Sequence, residues 1–301
     1  MDNYTTAYEY ESNVNPTLKS IPVFTKNIKD CEYVINFIDL SENYNVLHKS
    51  TTPNLLASFI KLQNNNFILS ESDECKKDIN ATSHLFYIIE GKAEIIIENK
   101  TWNVSKNDIL VSPCFESIYI CNNELEDLEI YYVNDSPLLN YLGSKASQKT
   151  FQTCIYSSEF LEEKLKNLSN PKNNRKGILL SNKDTEKIGI NTITPSLWCL
   201  YNELPPNTVQ KPHRHNSVAL DLCIFCEDSE NIYTLVGEEL DESGKIKNPQ
   251  KIHWKRGEMF ITPPGLWHSH NNVGNSFAYI LPIQDAGLLT FQRILGIELL
   301  K

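Results

Sequence analysis

The chain has 301 residues, of which 41% are hydrophobic and 22% are charged, and its formal net charge is −10 at pH 7. This composition is typical of a globular protein with one large domain or two of ordinary size. An acidic chain repels phosphate backbones and anionic lipid surfaces, so we expect no nucleic acid and no membrane as a partner. A small molecule or another protein is the expected partner.

The N-terminal segment, MDNYTTAYEYESNVNP, is polar and acidic. It lacks the basic and apolar regions of a signal peptide. No apolar run in the sequence approaches the roughly 20 residues of a membrane-spanning helix. We therefore expect a cytoplasmic protein. Residues 1–50 show no strong periodicity and are predicted to form an extension with short helices that packs on the rest of the chain.

Two stretches of the sequence resemble copies of one unit. TPNLLASFIKL, from Thr52, matches TPSLWCLYNEL, from Thr194, and WNVSKNDILVSP, from Trp102, resembles WKRGEMFITPP, from Trp254. The spacing between the copies is too long for a solenoid repeat, so it indicates a duplicated domain.

Both copies have the sequence character of β-structure. In the first copy, SHLFYIIEGKAEIIIEN is rich in β-branched and aromatic residues and is interrupted by a hairpin signal at Gly91. The second copy contains the short strand candidates SVALDLCIF, NIYTLVGEEL, KIHWKRGEMFIT and SFAYILPI. Many short strands at similar spacing predict a sandwich, barrel or jelly roll.

A helix is predicted between the two copies, in SSEFLEEKLKNLSN. Ser157 or Ser158 is its expected N-cap. The segment that follows, NPKNNRKG, has the composition of a loop. Apolar residues recur in the helix at helical spacing, namely at Phe160, Leu161, Leu165 and Leu168.

The eight cysteines are scattered through the chain and do not suggest a disulfide framework. Cys223 and Cys226 form a CxxC pair within a predicted strand. Side chains three apart on a regular strand point to opposite faces. We therefore expect that this pair shares neither a metal ion nor a redox bridge, and that both residues serve packing.

The strongest chemical signal is the segment PHRHNSVALD, in which His213 and His215 lie two residues apart. On a strand this spacing places both imidazoles on one face. FITPPGLWHSH supplies His268 and His270 after a Pro-Pro-Gly turn, which allows the next strand to return to the first pair. We predict a divalent transition metal held by His213, His215 and His268, because His268 directly follows the turn and Trp267. His270 shares that face and is predicted to orient a ligand or contact substrate.

The same alternation places Ser217, Ala219 and Asp221 on the inward face. Asp221 is a candidate catalytic residue, with a fourth metal ligand, a carboxylate that orients a histidine, a general base or a surface charge as its possible roles. In the first copy His84 stands alone at the expected place of the histidine pair, and SPCFESIYI contains no histidine. The first copy is therefore predicted to bind no metal.

The segments PHRHNSVALDL and GEMFITPPGLWHSH, together with ATSHLFYIIEGKAEIIIENKTWNVSKNDILVSP, resemble a two-domain cupin of the gentisate 1,2-dioxygenase-like family. The resemblance covers roughly residues 50–300. It implies an all-β-dominated fold of two cupin barrels, each a jelly-roll double-stranded β-helix, with a few flanking helices. The implied divisions are an extension at 1–50, a metal-free cupin at 51–142, a linker with a helix at 143–185 and a metal-binding cupin at 186–301.

The resemblance also implies an activity. Ring-cleaving members bind Fe(II) through three histidines, which map onto His213, His215 and His268, and use O2 to open hydroxylated aromatic acids. Fe(II) is the expected metal, with Zn, Ni and Mn as alternatives, and a homo-oligomer (dimer or tetramer) is expected. Such members commonly carry an arginine near the position of Asp221, where it helps to hold the substrate carboxylate.

Asp221 would instead repel a carboxylate, so a neutral or cationic substrate is an alternative to gentisate. Two other functions are also open. One is an O2-independent metal-dependent isomerase, hydrolase or lyase with Asp221 as its base, and the other is a non-catalytic small-molecule-binding protein. The residues predicted to line a substrate pocket are Trp198, Asn202, Gln210, Tyr233, Trp267 and Gln284.

Overall fold

The computed structural model describes residues 4–15, 17–69, 73–168 and 174–300. Antiparallel strands dominate these residues and form four sheets, which combine in pairs into two barrels. The prediction of an all-β-dominated fold with a few flanking helices is confirmed.

A six-stranded and a four-stranded sheet form the first barrel. The strands of the six-stranded sheet are, in spatial order, β11 (Cys154–Tyr156), β8 (Ile109–Pro113), β5 (Ser83–Glu90), β10 (Leu128–Asn134), β3 (Leu56–Leu62) and β2 (Val34–Ile38). Those of the four-stranded sheet are β4 (Asn66–Ile68), β9 (Ile118–Cys121), β6 (Lys92–Ile97) and β7 (Lys100–Ser105).

The second barrel has the same plan. Its first sheet consists of β1 (Thr25–Asn27), β19 (Glu258–Thr262), β16 (Ala219–Phe225), β21 (Ala278–Gln284), β13 (Trp198–Leu204) and β12 (Lys176–Leu180). Its second sheet consists of β18 (Gln250–His253), β17 (Ile232–Gly237), β20 (Trp267–Asn272), β15 (His213–His215) and β22 (Ile297–Leu299), with β14 (Thr208–Val209) also paired to β20.

Short helices flank the barrels, and none of those in the described residues has the length and apolar character needed to cross a bilayer. They are α1 (Tyr10–Asn13), α2 (Ser41–Tyr44), α3 (Asp73–Asp78), α4 (Ser136–Tyr141), α5 (Ser158–Lys166), α6 (Lys183–Lys187) and α7 (Ala286–Phe291), with a 3₁₀ turn at Ile28–Asp30.

The predicted helix between the copies is α5. The Ser157 side chain caps it by accepting a hydrogen bond from the backbone N–H of Phe160. Leu161 and Leu165 are buried, whereas Phe160 and Leu168 are partly exposed. The loop predicted at 170–177 lies in part outside the described residues, and its last two residues already belong to β12.

Three apolar clusters hold the barrels together. The largest lies between the two six-stranded sheets and includes Tyr131 from the first and Leu220 from the second. The second cluster fills the interior of the first barrel, with Phe86 and Tyr132 stacked at 4.5 Å between ring centroids. The third lies inside the second barrel and includes Trp254. The barrels therefore meet through the outer faces of their six-stranded sheets.

The repeated TPxL motif forms the same turn in both copies. The Thr52 hydroxyl accepts from the N–H of Leu55 at 3.1 Å, and the Thr194 hydroxyl accepts from the N–H of Leu197 at 3.0 Å. Identical local geometry at corresponding places supports the predicted duplication.

The N-terminal extension contributes strands as well as short helices. β1 pairs with β19 of the second barrel, and β2 pairs with β3 of the first. Within the predicted linker, β11 pairs with the first barrel and β12 with the second. The division of the chain at 50, 142 and 185 stays a prediction.

A side-chain hydrogen bond joins the turn that precedes β3 to the end of β21. The Asn54 amide donates to the Asp285 carboxylate at 2.7 Å, and Asp285 is buried. Asn54→Ala removes this donor from a buried carboxylate, so we expect the free energy of unfolding in urea to fall by about 1–3 kcal/mol. The exposed Asn123→Ala is the control, with an expected change within about 0.5 kcal/mol. Equal effects of the two substitutions would contradict a structural role for this bond.

Candidate metal centre

Three histidines of the second barrel converge as predicted from the sequence. His213 on β15 lies directly opposite His268 on β20 in the antiparallel register, and His215 follows on the same face of β15. The ring centroids of His213 and His268 are 4.0 Å apart, and those of His215 and His268 are 4.8 Å apart. One nitrogen from each ring lies within 4.8 Å of the others. Zinc and related ions bind imidazole nitrogens at about 2.0–2.1 Å, so small rotations suffice for one ion to reach all three.

Backbone carbonyls fix the tautomers of two of these rings. His215 Nδ1 is 2.9 Å from the carbonyl of Ser217, and His268 Nδ1 is 3.1 Å from that of Leu266. A carbonyl only accepts, so each Nδ1 carries the hydrogen and each Nε2 offers its lone pair. Burial lowers the pKa of both rings, with the neighbouring histidines adding to the effect at His268. Both rings are therefore neutral, as metal binding requires.

Arg175 contacts the third histidine. Its guanidinium is 2.9 Å from His213 Nδ1 and donates to the carbonyl of Lys211 at 2.7 Å. Burial and then the Arg175 charge hold the pKa of His213 well below its usual range. The sequence analysis missed Arg175 because it lies in a polar segment without periodicity. The pairing of β12 with β13 brings it to the site.

His270 lies beside the three histidines but outside the group that can share an ion. Trp254 Nε1 donates to the Thr234 hydroxyl at 2.8 Å, and this hydroxyl is 2.8 Å from His270 Nδ1. The Thr234 hydroxyl therefore accepts from Trp254 and also occupies His270 Nδ1, which leaves Nε2 as the second hydrogen-bonding atom of the ring. Burial lowers the pKa of His270 to about 3, so the ring is neutral.

The histidines face a cavity of about 220 Å³. The predicted pocket residues Asn202, Gln210 and Gln284 line it, as do His270 and Asp221. The remaining lining residues are Arg175, Lys176, Gly177, Leu200, His213, His215, Ala219, His268 and Pro282. A Cβ atom at Gly177 would collide with the Asn202 amide, so a larger residue there would displace this amide from its present position.

Three residues predicted to contact substrate lie outside this lining. Trp267 precedes His268 on β20, so it faces the other way and stacks under the Arg214 guanidinium at 4.6 Å. Tyr233 lies under Lys251 at 3.8 Å on a different surface. Trp198 is partly buried at the start of β13. Arg214 points away from the metal ligands, as the alternation predicts.

Asp221 is buried, which excludes its interpretation as a surface charge. Its carboxyl accepts a hydrogen bond from the Thr262 hydroxyl at 2.6 Å, and its side chain lines the cavity. Burial raises its pKa to about 7, against the opposing effect of the Thr262 hydrogen bond. Among the described residues, the three histidines form the group that is close enough to share an ion, and Asp221 does not belong to this group.

The prediction that His84 takes the place of the histidine pair is wrong in detail. His84 pairs with Asn134 and Ser112, as Ala219 pairs with Gln284 and Thr262. His84 therefore corresponds to Ala219. The same comparison of registers can be made for two further inward-facing positions. Phe86 corresponds to Asp221, and Tyr132 corresponds to Pro282. Large rings thus occupy in the first barrel the space that forms the cavity in the second.

The chain was compared with known proteins at the level of sequence and of structure. No protein-family model and no curated protein sequence matches it. Among solved structures, a variant of salicylate 1,2-dioxygenase from Pseudoaminobacter salicylatoxidans in complex with gentisate matches with a TM-score of 0.70. Its identity is 10%, over 95% of this chain and 88% of that chain. The fold is that of a two-barrel cupin.

Two further structures show how widely this bicupin fold is shared. Another variant of the same dioxygenase has a TM-score of 0.71 and 11% identity, over 98% of this chain and 92% of that one. Vicilin from hazelnut, Corylus avellana, has a TM-score of 0.52 and 12% identity, over 86% of this chain and 84% of that chain. Identities this low establish the fold alone, and the chemistry must be argued from the site.

The metal-ligand assignment is tested by single substitutions. His213→Ala, His215→Ala and His268→Ala each remove one of three nitrogens, so we expect metal content by elemental analysis to fall from about one ion per chain to near zero. His253→Ala is the matched control, because His253 is exposed and lies on β18, away from the cavity. Retention of metal in all three variants would contradict the assignment.

The raised pKa of Asp221 is tested by the pH dependence of stability. Its ordinary pKa of 3.8 in the unfolded chain rises to about 7 in the folded chain. Between these values the folded state binds more protons, so this group makes the free energy of unfolding fall as pH rises from about 4 to about 7.

The Asp221→Asn variant lacks this titrating carboxyl. Its free energy of unfolding should therefore depend less on pH between about 4 and about 7. Urea unfolding of the metal-free bicupin at several pH values measures the effect, and the exposed Glu227→Gln serves as the control. Parallel curves for wild type and Asp221→Asn would show that the pKa is not raised.

Proposed function

We propose that this bicupin is a metal-dependent oxygenase that uses O2 to cleave a small hydroxylated aromatic acid, with Fe(II) as its metal. The observation that carries the proposal is the arrangement of His213, His215 and His268 on one wall of a buried cavity. Once His213 is released from the Arg175 guanidinium, three neutral imidazoles can hold a divalent ion and leave coordination positions free, as a site that must accept both substrate and O2 requires. The structural similarity to salicylate 1,2-dioxygenase supports the same class of chemistry.

Arg175 provides the charge that an acidic substrate needs. Its guanidinium lies at the cavity wall beside His213. A guanidinium pairs with a carboxylate through two parallel hydrogen bonds, which fix both position and orientation. Arg175, which directly precedes β12, thus supplies the cavity with a cation, although Asp221 stands where ring-cleaving cupins commonly carry an arginine.

Asp221 is compatible with an anionic substrate. Because burial raises its pKa to about 7, roughly half of the molecules carry a neutral carboxyl at neutral pH. The repulsion expected from the sequence is weakened accordingly. A neutral Asp221 also presents an O–H donor to the cavity.

The bound metal would supply the positions at which substrate and O2 meet, and would pass electron density between them. The chain's own residues then bind and orient. His270 offers Nε2 for a hydrogen bond with a group in the cavity, because Thr234 occupies its other nitrogen. The amides of Asn202 and Gln284 offer further donors and acceptors on the cavity wall.

Oxygen uptake tests this proposal. The protein is loaded with Fe(II) without air and supplied with salicylate, gentisate and other hydroxylated aromatic acids, and dissolved O2 is followed with an electrode. We expect O2 uptake that is matched by loss of the aromatic absorbance of the acid. The His268→Ala variant should show neither O2 uptake nor loss of absorbance. Absence of uptake with every acid in a panel of this kind would contradict the proposal.

Arg175→Gln tests the substrate class separately. Loss of a charge-assisted bond worth about 1.5–3 kcal/mol should raise KM for the acid roughly 10- to 100-fold. Arg214→Gln is the matched control, because Arg214 lies outside the cavity, against Trp267 and Glu298. An equal effect of both variants would contradict carboxylate binding by Arg175.

One observation favours a second function. A buried carboxyl with a pKa of about 7 beside a metal site is suited to act as a general base, as an O2-independent isomerase, hydrolase or lyase requires. Turnover with Zn, Ni or Mn under strictly anaerobic conditions, lost in Asp221→Asn, would support this alternative over the oxygenase.

A further inference from the structure

Cys223 lies on β16 and Cys226 directly follows this strand, and both side chains face the interior of the second barrel, contrary to the expectation from strand alternation. The pairing of β16 with β21 shifts between Cys223 opposite Ile280 and Phe225 opposite Tyr279. Ile224 is therefore an extra residue, a β-bulge that resets the alternation. Both cysteines pack in the apolar cluster inside the second barrel.

The two thiols differ in their surroundings. Cys223 is fully buried, whereas Cys226 is partly exposed at the end of the strand. The two side chains lie near each other, and the proximity of Cys223 lowers the pKa of Cys226. Burial, followed by this same contact, raises the pKa of Cys223. The pair thus combines a partly exposed thiol whose pKa is lowered with a buried thiol whose pKa is raised.

Trp254 connects this pair to the cavity. The Cys226 thiol is 3.4 Å from the carbonyl oxygen of Trp254. The side chain of Trp254 reaches the cavity side. Its indole N–H donates to the Thr234 hydroxyl, and the ring centroids of Trp254 and His270 are 5.5 Å apart. A change at the cysteines that moves Trp254 therefore reaches His270.

We propose that Cys223 and Cys226 form a redox-reactive dithiol, oxidised by low-molecular-weight disulfides to an intramolecular disulfide that alters the metal cavity through Trp254. The Cys226 thiolate attacks one sulfur of the disulfide RSSR, and one RS⁻ leaves. The Cys223 sulfur, after loss of its proton, then attacks the Cys226 sulfur, and the second RS⁻ leaves. The protein loses two electrons and two protons, and RSSR becomes two RSH.

The order of attack provides the first test. The full chain is incubated with oxidised glutathione, and its peptides are mapped by mass spectrometry. We expect a Cys223–Cys226 disulfide, two hydrogens lighter than the dithiol. Cys223→Ala should accumulate glutathione on Cys226, whereas Cys226→Ala should leave Cys223 unmodified because it is buried.

The partly exposed Cys121, on β9 of the first barrel, offers the matched control. Cys121→Ser should form the Cys223–Cys226 disulfide as readily as wild type. Circular dichroism identifies any variant that fails to fold, and the wild-type reaction decides the outcome without a variant. A wild-type protein whose Cys223 and Cys226 stay reduced, or become glutathionylated without linking, would overturn the proposal.

Mn(II) titration followed by electron paramagnetic resonance measures the effect on the cavity, because Mn(II) binds thiolates poorly. We expect the Kd for Mn(II) to change roughly 2- to 30-fold between the reduced and the disulfide form. The change should be absent in Cys226→Ala after the same treatment. An unchanged Kd in a fully linked protein would overturn the connection through Trp254. These readouts need no turnover, so they are independent of whether the oxygenase activity exists.

Discussion

The antiparallel pairing of β15 with β20 is the constraint on which the candidate site depends. It places His213 opposite His268, and strand alternation places His215 on the same face. β15 has only three residues, and β22, close to the C-terminus, pairs with its other edge. Two of the three histidines therefore lie on a short strand held between two neighbours. A one-residue slip in this pairing would turn both rings out of the barrel, because the side-chain period of a strand is two.

The two barrels share a plan but differ in how their interiors are filled. The repeated turns at Thr52 and Thr194 and the corresponding registers of their six-stranded sheets show the shared plan. In the first barrel, stacked rings such as Phe86 and Tyr132 close the interior. Packing density in protein cores leaves little empty space, so a cavity needs small or polar residues at the same inward positions. The loss of large side chains is as necessary for the second barrel's site as the gain of histidines.

The sequence predicted what depends on local periodicity and failed where partners come from far along the chain. The fold class, α5 with its Ser157 cap and the three histidines follow from alternation, helical spacing and turn residues. Arg175 could not be found this way, since its role arises from the pairing of β12 with β13. Trp267 was assigned to the pocket because of its neighbour His268, although alternation alone turns it outward. The contacts of Thr234 with Trp254 and His270 join three strand regions that no local pattern connects.

The bulge at Ile224 shows why alternation is a conditional rule. One inserted residue reverses the face of every later side chain on that strand, so an argument from parity holds only up to the first irregularity. Asp221 precedes the bulge, and its inward position agrees with the count from His213 and His215. Cys226 follows the bulge, and the same count gives the wrong face for it. Bulges are frequent near functional sites, where they re-aim side chains. Here the bulge turns Cys226, directly after β16, to the same face as Cys223 and leaves Asp221 on the cavity wall.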